Sequence, residues 1–543
     1  MPGPGKQRNG PAAGSAGKPH RRLAPWRRLS QALFLLVFFF LFIKTDYTGS
    51  DRLEYAVNIL FRIDPLLAAS VMLAVKGLVA LMLPALLLVG LTLILGRFFC
   101  GWVCPMGTLI DLCHPFLRPR TRRTDTLYPA LPYLLLIFVL AGAFFGLPVA
   151  GYIDPFSILV RGLAIAVYPA FNQTVTGFFT YTYLEAPGFV NVVTEPVYSL
   201  LRATVLPFDQ KYYTLVVLSA AILLAVFVLE LIQRRFFCRN LCPLGGLIGL
   251  PAAAGIFRGY GGSDDCKACR TCRTVCRMDA IDEERRLAMS RCILCMDCRD
   301  KCPRDLIGFR FAPPSRRPAP VSLSRRAVMA ALAGAALLPL FSGVRSMAKV
   351  PDPFLIRPPG SLPDPEFLDR CVRCGECMKV CIGNALHPSF LESGIEGIFA
   401  PRLIARIGYC EFNCTLCGQV CPTGAIRELE LPDKHTFKIG HAFFDADRCL
   451  PYAKGIPCIV CEEHCPTPEK AIRFRNAVVE NDRGETVTVR QPYVVDALCI
   501  GCGICENKCP LPDGAAVYVT SAGEARNPEH TLPAADSGLY LSP

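Results

Sequence analysis

The sequence predicts an α-helical membrane bundle joined to bacterial-type ferredoxin domains of the α+β class. Hydrophobic residues make up 52% of the 543 residues and charged residues only 19%, and the mean hydropathy is +0.36, which is typical of a chain partly embedded in a membrane. Of the 29 cysteines, six motifs of four account for 24 and two Cys-x3-Cys-Pro motifs for four more. Repeated four-cysteine motifs of this kind indicate iron–sulfur clusters rather than a disulfide framework.

The N-terminal residues 1–28 are rich in Pro, Gly and Arg and predict a disordered basic tail in the cytoplasm. Residues 29–250 predict a membrane domain. Its four spans are expected at 29–43, 66–95, 128–147 and 212–232.

Basic residues cluster at the ends of these spans that are predicted to face the cytoplasm, as the positive-inside rule expects. Membrane topology therefore accounts for the formal charge of +13, and no nucleic-acid partner is predicted. The long loop between the third and fourth spans is expected to carry a short interfacial helix at 157–171.

The predicted membrane domain contains an internal repeat. Ile-Asp-Pro occurs at 63–65 and again at 153–155, and Arg-Phe-Phe-Cys-x3-Cys-Pro occurs at 97–105 and again at 235–243. The repeat predicts that Asp64 and Asp154 lie at one face of the membrane. The four Cys-x3-Cys-Pro cysteines, expected at the other face, are Cys100, Cys104, Cys238 and Cys242.

Residues 256–312 predict a cytoplasmic two-cluster ferredoxin domain. Two Cys-x2-Cys-x2-Cys-x3-Cys motifs follow each other there, and a loop this short wraps three cysteines around one [4Fe-4S] cluster and sends the fourth to its neighbour. The alternatives, a zinc knuckle or a disulfide loop, suit this spacing poorly. The expected ligand sets are Cys266, Cys269, Cys272 and Cys302 for one cluster, and Cys292, Cys295, Cys298 and Cys276 for the other.

Residues 313–348 predict a linker and a twin-arginine-like signal. Arg325 and Arg326 precede a mildly apolar Ala- and Leu-rich run, and a small-x-small site ends at Ala348. The alternative is a fifth span that stays as an anchor. In both cases the chain from residue 349 onwards is expected outside the cytoplasm.

Residues 349–525 predict a four-cluster ferredoxin domain, followed by a tail at 526–543. Two of its four motifs have regular spacing, one has an additional residue and one a longer insertion, but each offers four thiols. We expect four further [4Fe-4S] clusters, with the first motif paired with the fourth and the second with the third. The ligands are Cys371, Cys374, Cys377 and Cys381; Cys410, Cys414, Cys417 and Cys421; Cys449, Cys458, Cys461 and Cys465; and Cys499, Cys502, Cys505 and Cys509.

The order of these motifs resembles two known families in succession. Residues 20–310 are similar to NapH, a membrane quinol dehydrogenase subunit with four spans, two Cys-x3-Cys-Pro motifs and a cytoplasmic two-cluster ferredoxin. Residues 320–520 are similar to the MauM/NapG group, exported ferredoxins with four [4Fe-4S] clusters and a twin-arginine signal. The chain thus resembles a NapH/NapG fusion.

The resemblance implies six [4Fe-4S] clusters and quinol as the substrate. It also implies a bacterial inner-membrane location, with the first ferredoxin domain in the cytoplasm and the second in the periplasm. The implied partners are the membrane quinone pool and a periplasmic multihaem cytochrome or terminal reductase of the nitrate-reductase type. A passive electron relay and a metalloenzyme maturation factor, neither with its own quinol site, remain alternatives.

The resemblance implies quinol oxidation, which releases protons, so buried side chains that can accept a proton are candidates for the quinol site. Asp64 and Asp154 are the first candidates, although helix N-caps or Asp-Pro turns would explain them equally well. Lys76, inside the predicted second span, is another candidate because an intramembrane charge is costly. Cys100, Cys104, Cys238 and Cys242 have three alternative roles: they hold a further cluster, form redox-active thiol pairs, or dock the first ferredoxin domain.

Overall fold

The computed structural model describes residues 23–117, 126–261, 269, 271–303, 306–313, 323–342, 352–481 and 483–528. Most of the predicted N-terminal tail, Cys266, the small-x-small site and most of the predicted C-terminal tail lie outside this part of the chain. We refer to residues 23–254 as the helical half. Residues 256–313 form the first ferredoxin module, and residues 352–528 form the second.

Helix α1 (Ala24–Lys44) lies where the first span is predicted. The second span is predicted over 66–95, and the structure has two helices there in place of one. Lys76 adopts a left-handed backbone conformation with φ of 53° and ends one helix, and a second helix starts only after Pro84. The segment contains α2 (Ile59–Arg62), α3 (Pro65–Val75), a 3₁₀ turn (Ala80–Met82) and α4 (Ala85–Leu95).

The remaining apolar helices include one that is longer than expected. The interfacial helix predicted at 157–171 is part of a helical run over Pro155–Glu185, and its first half is buried. This run contains α9 (Pro155–Gly162), a π-helical turn (Leu163–Val167) and α10 (Tyr168–Glu185). The other helices of this half are α5 (Phe98–Trp102), α6 (Pro105–Cys113), α7 (Leu131–Phe144), α8 (Ala150–Ile153), α11 (Gly188–Thr204), α12 (Val216–Val228) and α13 (Pro243–Ala253).

Two helices of the described chain are long and apolar enough to cross a membrane, Ala24–Lys44 and Pro155–Glu185. Five other apolar helices have 10 to 17 residues. Helices lie near each predicted span, but α7 and α12 are shorter than the spans predicted at 128–147 and 212–232.

Matching helix caps confirm the internal repeat. Asp64 caps α3 and Asp154 caps α9, each followed by Pro at the first helical position. Likewise Cys104 caps α6 and Cys242 caps α13, and their Sγ atoms accept hydrogen bonds from the N–H groups of Gly107 at 3.5 Å and Gly245 at 3.3 Å.

The first ferredoxin module is closed by an antiparallel strand pair, with Phe257 opposite Phe311. It lies against the helical half at α5, where the indole N–H of Trp102 donates to the carbonyl of Leu294 at 2.9 Å. A Cβ atom at Gly101 would lie 2.1 Å from the carbonyl oxygen of Ile293, so only glycine permits this contact. The elements are β1 (Phe257–Tyr260), α14 (Thr271–Val275), α15 (Asp297–Asp300) and β2 (Gly308–Phe311).

Helix α16 (Arg325–Ser342) covers the apolar run of the predicted signal. It packs along α7, and Gly334 lies against the Phe138 ring, so that a Cβ atom there would be 3.6 Å from it.

The second ferredoxin module is built from three antiparallel strand pairs and short helices around the cysteine loops. Strands β3 (Leu386–Pro388) and β4 (Pro401–Leu403) pair, as do β5 (His441–Phe444) and β8 (Val517–Thr520), and β6 (Ile472–Glu480) and β7 (Thr486–Val494). Its helices are α17 (Glu366–Arg370), α18 (Glu376–Val380), α19 (Leu416–Gln419), α20 (Leu431–Thr436), α21 (Leu450–Ala453), α22 (Val460–Glu463) and α23 (Ile504–Lys508).

Candidate iron–sulfur centres and a buried carboxyl pair

Five cavities with empty volumes of about 350 to 390 Å³ are each lined by four cysteines. In every case three cysteines come from one motif and the fourth comes from a partner motif, as expected for paired [4Fe-4S] clusters. The first-module set is Cys276, Cys292, Cys295 and Cys298, as predicted. The second-module sets are Cys371, Cys374, Cys377 and Cys421; Cys381, Cys410, Cys414 and Cys417; Cys465, Cys499, Cys502 and Cys505; and Cys449, Cys458, Cys461 and Cys509.

These sets correct the predicted pairing of the second module. The first motif pairs with the second and the third with the fourth, so each pair joins neighbours in the sequence. The β3–β4 pair lies between the first two motifs in the chain and turns it back, so that α18 packs on α19. The β6–β7 pair likewise turns the chain back between the last two motifs, so that α22 packs on α23.

The other cluster predicted in the first module is only partly described. Cys272 lies beside Cys269 and Cys302, which agrees with the predicted set. Its fourth predicted ligand, Cys266, lies outside the described residues.

The cysteine loops fit iron–sulfur clusters chemically. The last cysteine of five motifs accepts a backbone N–H four to seven residues further on, at 3.3 or 3.4 Å, and hydrogen bonds of this kind to cluster sulfurs tune reduction potentials. These N–H groups belong to Ala280, Leu306, Ala385, Ile426 and Ala516.

The spacing of the thiols argues against zinc. Among the described residues, no three His, Cys, Asp or Glu side chains come close enough to hold a single metal ion, whereas four thiols line each cavity. Burial also raises the pKa of Cys449, Cys461 and Cys502 to about 12. Thiolates at these positions therefore require the positive charge of iron.

A buried carboxyl pair lies where the two halves of the repeat meet. Asp64 and Asp154 are only 1% and 0% exposed. Oδ1 of Asp64 accepts the N–H groups of Leu66 at 2.7 Å and Leu67 at 3.1 Å, and Oδ2 of Asp154 accepts that of Ser157 at 2.9 Å. The N-cap role weighed for both residues is therefore confirmed.

Capping uses only one oxygen of each carboxyl group. No N–H or O–H donor in the described chain reaches Oδ2 of Asp64 or Oδ1 of Asp154, and the two carboxyl groups are near enough to interact electrostatically. Two buried carboxyl groups beside each other are unfavourable when both are ionised, so the pair is suited to holding a proton. The pair is thus a preformed site that can exchange protons.

Lys76, the other predicted proton acceptor, is not part of this site. It ends α3, whereas Asp64 begins it, so the two lie about 16 Å apart along the helix axis. Its side chain is exposed and lies near Asp369 of the second module.

The second module contacts the helical half next to the carboxyl pair. The guanidinium of Arg161, 1% exposed, donates to the carbonyls of Gly151 at 2.9 Å and Arg373 at 3.0 Å. A Cβ atom at Gly151 would lie 2.2 Å from the carbonyl oxygen of Val372. Val372 and Cys374, from the first cavity of the second module, belong to the hydrophobic core of the helical half.

Further buried charges hold this contact, and the sequence reading missed them. Lys379, 1% exposed, donates to the carbonyl of Thr45 and lies 3.7 Å from Asp46. Asp46 also pairs with Lys211 at 3.2 Å. These residues are far apart in sequence, and although Lys379 lies between Cys377 and Cys381, the cysteine spacing does not mark it as a contact residue.

The family described as "4Fe-4S binding domain" matches residues 78–124, 214–258 and 417–430. The first two segments each contain one Cys-x3-Cys-Pro motif. Over 180 residues, the chain is 35% identical to the methylamine utilization ferredoxin-type protein MauM of Methylorubrum extorquens, and the match covers 32% of the chain and 78% of that protein. The chain belongs to the MauM and NapG family of ferredoxin-type proteins.

Two further relatives cover less of their own length. The ferredoxin-type protein NapG of Escherichia coli is 35% identical over 119 residues, which is 22% of this chain and half of that protein. The regulatory protein NosR of Pseudomonas aeruginosa is 26% identical over 219 residues, 38% of this chain and 24% of that protein. No solved structure matches the chain. The relatives confirm an iron–sulfur electron-transfer protein of NapG type, and the NapH-like half stays a prediction.

Proposed function

We propose that the chain oxidises quinol in a membrane and passes the electrons through [4Fe-4S] clusters to a periplasmic reductase chain. The observation that carries the proposal is the buried pair of Asp64 and Asp154. On one side, Arg161 faces both Asp154 and Cys374 of the first cavity of the second module. On the other side, the ring of Phe99, next to Cys100, lies 5.9 Å from that of Phe156, two residues beyond Asp154.

Quinol releases two protons and two electrons, whereas a bound [4Fe-4S] cluster takes up one electron at a time. A quinol hydroxyl group next to the free oxygens of Asp64 and Asp154 would find a general base already desolvated. The capping N–H groups hold each carboxyl group in place. The proline that follows each aspartate at the helix start also leaves the aspartate side chain little rotamer freedom.

The cysteine cavities of the second module follow one another away from this site. The cavity of Cys371 adjoins the helical half, and its partner cavity contains Cys410. The N–H group of Cys410 donates to the carbonyl of Cys502 at 2.9 Å, which joins the first pair of cavities to the second. This sequence of thiol sets supports a single route that links the helical half to the Cys449 cavity.

For the topology, we propose an inner-membrane protein with the first module in the cytoplasm and the second in the periplasm. The packing of α16 on α7 supports a fifth span that stays as an anchor rather than a cleaved signal. The proposed partners are the quinone pool and a multihaem cytochrome or terminal reductase.

The test is single-turnover reduction of the clusters by quinol in vesicles that contain only this protein, followed by EPR and by visible absorbance. Asp154→Asn and Asp64→Asn keep the cap but lose the base, so we expect reduction about 100-fold slower or more, with unchanged iron content. Lys76→Met is the matched control and is expected to reduce at the wild-type rate.

Equal rates in the Asn variants would refute a proton-accepting role for the pair. Reduction that requires another protein would favour the alternatives, a passive relay or a maturation factor without its own quinol site.

A further inference from the structure

The four Cys-x3-Cys-Pro cysteines, two from each half of the repeat, come together in the folded chain. Cys242 interacts electrostatically with Cys100, Cys104 and Cys238, and Cys104 interacts with Cys100 and Cys238. All four are free thiols, and among the described residues they do not form a group that would hold a single metal ion. The four thiols therefore lie near one another.

Two buried arginines cross over this thiol group. Arg235 belongs to the second half of the repeat but donates to the carbonyls of Cys100 at 3.3 Å and Gly107 at 3.0 Å in the first. Arg97 belongs to the first half and reaches into the second, where a Cβ atom at Gly245 would lie 2.7 Å from its Nη2. Each half of the repeat thus contributes an arginine whose side chain reaches the other half, and both guanidinium groups face the thiols.

The charge of Arg97 points to an anionic occupant. It is 4% exposed, its Nη1 donates to the carbonyl of Ser290 at 2.8 Å and its Nη2 lies 3.9 Å from Sγ of Cys100. Within the described chain, its Nε has no partner, and the acidic groups that it faces are the thiols of Cys100 and Cys242 and the phenol of Tyr133. A buried guanidinium surrounded by neutral thiols would be costly.

An iron–sulfur cluster would balance this charge. Four thiolates on an oxidised core of charge about +2 leave a net charge of about −2. Arg97 offsets part of this charge, whereas Arg235 is already paired with Asp111 at 2.7 Å. The helix N-termini at Cys104 and Cys242 add two N–H donors to sulfur. A pair of disulfides would be neutral and would leave Arg97 without an anion.

We infer that Cys100, Cys104, Cys238 and Cys242 together hold one further iron–sulfur cluster of two or four irons. This cluster connects the first ferredoxin module to the carboxyl pair. Cys295 and Ile293 of that module pack against Cys100 and Cys238, and Phe99, next to Cys100, lies 5.9 Å from the ring of Phe156, two residues beyond Asp154. The assignment is independent of quinol oxidation.

The test compares iron, acid-labile sulfide and the EPR spectrum of the full-length protein, purified anaerobically, with those of the double variant Cys100→Ser, Cys238→Ser. We expect the variant to lose about two or four irons with as many sulfides per chain and one EPR signal, while the remaining signals stay. Cys113→Ser, at the other end of α6 from Cys104, is the control and should lose no iron.

A second variant keeps the experiment informative if the double variant folds poorly. Arg97→Gln retains all four thiols, and loss of the positive charge should move the potential of one cluster to a more negative value, because the reduced cluster is the more anionic state. Unchanged iron content in the cysteine variant, or unchanged potentials of all clusters in the arginine variant, would overturn the assignment.

Discussion

The two ferredoxin modules both approach the helical half through a glycine that admits a backbone carbonyl, but they meet different chemistry there. Gly101 faces Ile293 of the first module, next to the four Cys-x3-Cys-Pro thiols. Gly151 faces Val372 of the second module, next to the carboxyl pair. At the first contact the carboxylate of Asp111 is paired with arginines, Arg277 of the module at 2.6 Å and Arg235 of the helical half at 2.7 Å. The carboxyl pair at the second contact has no such cation on its free oxygens. A quinol site at the carboxyl pair would therefore couple to the second module, with the first module joined through ion pairs and the Cys-x3-Cys-Pro thiols.

Removal of iron should produce the largest difference in stability between the two ferredoxin modules and the helical half. Burial raises the pKa of Cys414 to about 12, as it does at Cys449 and Cys461, so the emptied cavities keep neutral thiols around space that nothing else fills. In modules of this kind, the free energy of metal binding is part of the free energy of folding. After anaerobic chelation we expect both modules to become sensitive to proteolysis.

The helical half provides the internal control, since its apolar core should keep its far-UV circular dichroism. A second module that stays resistant to protease without iron would show that its packing is sufficient on its own.

Substitution at the two glycines tests the two contacts one at a time. Gly151→Leu places a side chain against Val372, and overpacking of this kind costs about 1–3 kcal/mol. Amide hydrogen exchange around 371–380 should become about 10- to 100-fold faster, with exchange in the first module unchanged. Gly101→Leu should give the reverse pattern.

Gly177→Leu is the matched control, because no atom lies within 4 Å of a Cβ atom there. If either glycine variant speeds exchange in both modules, the two contacts are not independent.

The smallest expected effect concerns pH at the second contact. Burial lowers the pKa of His387 to about 4, while its ordinary value in the unfolded chain is about 6.5. Below pH 6.5 the unfolded chain therefore takes up a proton that the folded histidine refuses, and stability falls as pH falls towards 4. At pH 5 the loss is about 2 kcal/mol.

His387→Gln should remove this part of the pH dependence, which corresponds to about 5 °C in Tm between pH 7 and pH 5. The measurement is thermal unfolding of the iron-loaded protein at both pH values. His435→Gln, at an exposed side-chain contact with Asn413, serves as the control. An identical pH dependence in the His387 variant would contradict the assignment.

Local patterns predicted the chemical groups of this protein well. Cysteine spacing predicts the ligand loops because three ligands of each cluster lie within one short turn. Repeated Ile-Asp-Pro predicts Asp64 and Asp154 because the same cap recurs in both halves. That the two carboxyl groups lie near each other depends on how the two halves of the repeat pack, which the repeated motif does not specify.

Features set by tertiary packing were not predictable in the same way. The break at Lys76 lies inside an apolar run in which Lys76 is the only charged residue, and hydropathy averaged over the run does not separate one helix from two. The motif pairing depends on the β3–β4 and β6–β7 turns, which no cysteine spacing encodes. Arg161 and Lys379 act through backbone carbonyls of distant segments, and only the folded chain brings these together.

Helix α16 has a consequence for affinity. It packs on α7 in the same chain that carries the second module, so the module meets its contact on the helical half as a tethered partner. A short tether gives an effective concentration on the order of mM. The contact around Gly151 and Lys379 would therefore remain occupied even at an affinity too weak for two separate proteins, and the second module could leave and return without being lost by diffusion.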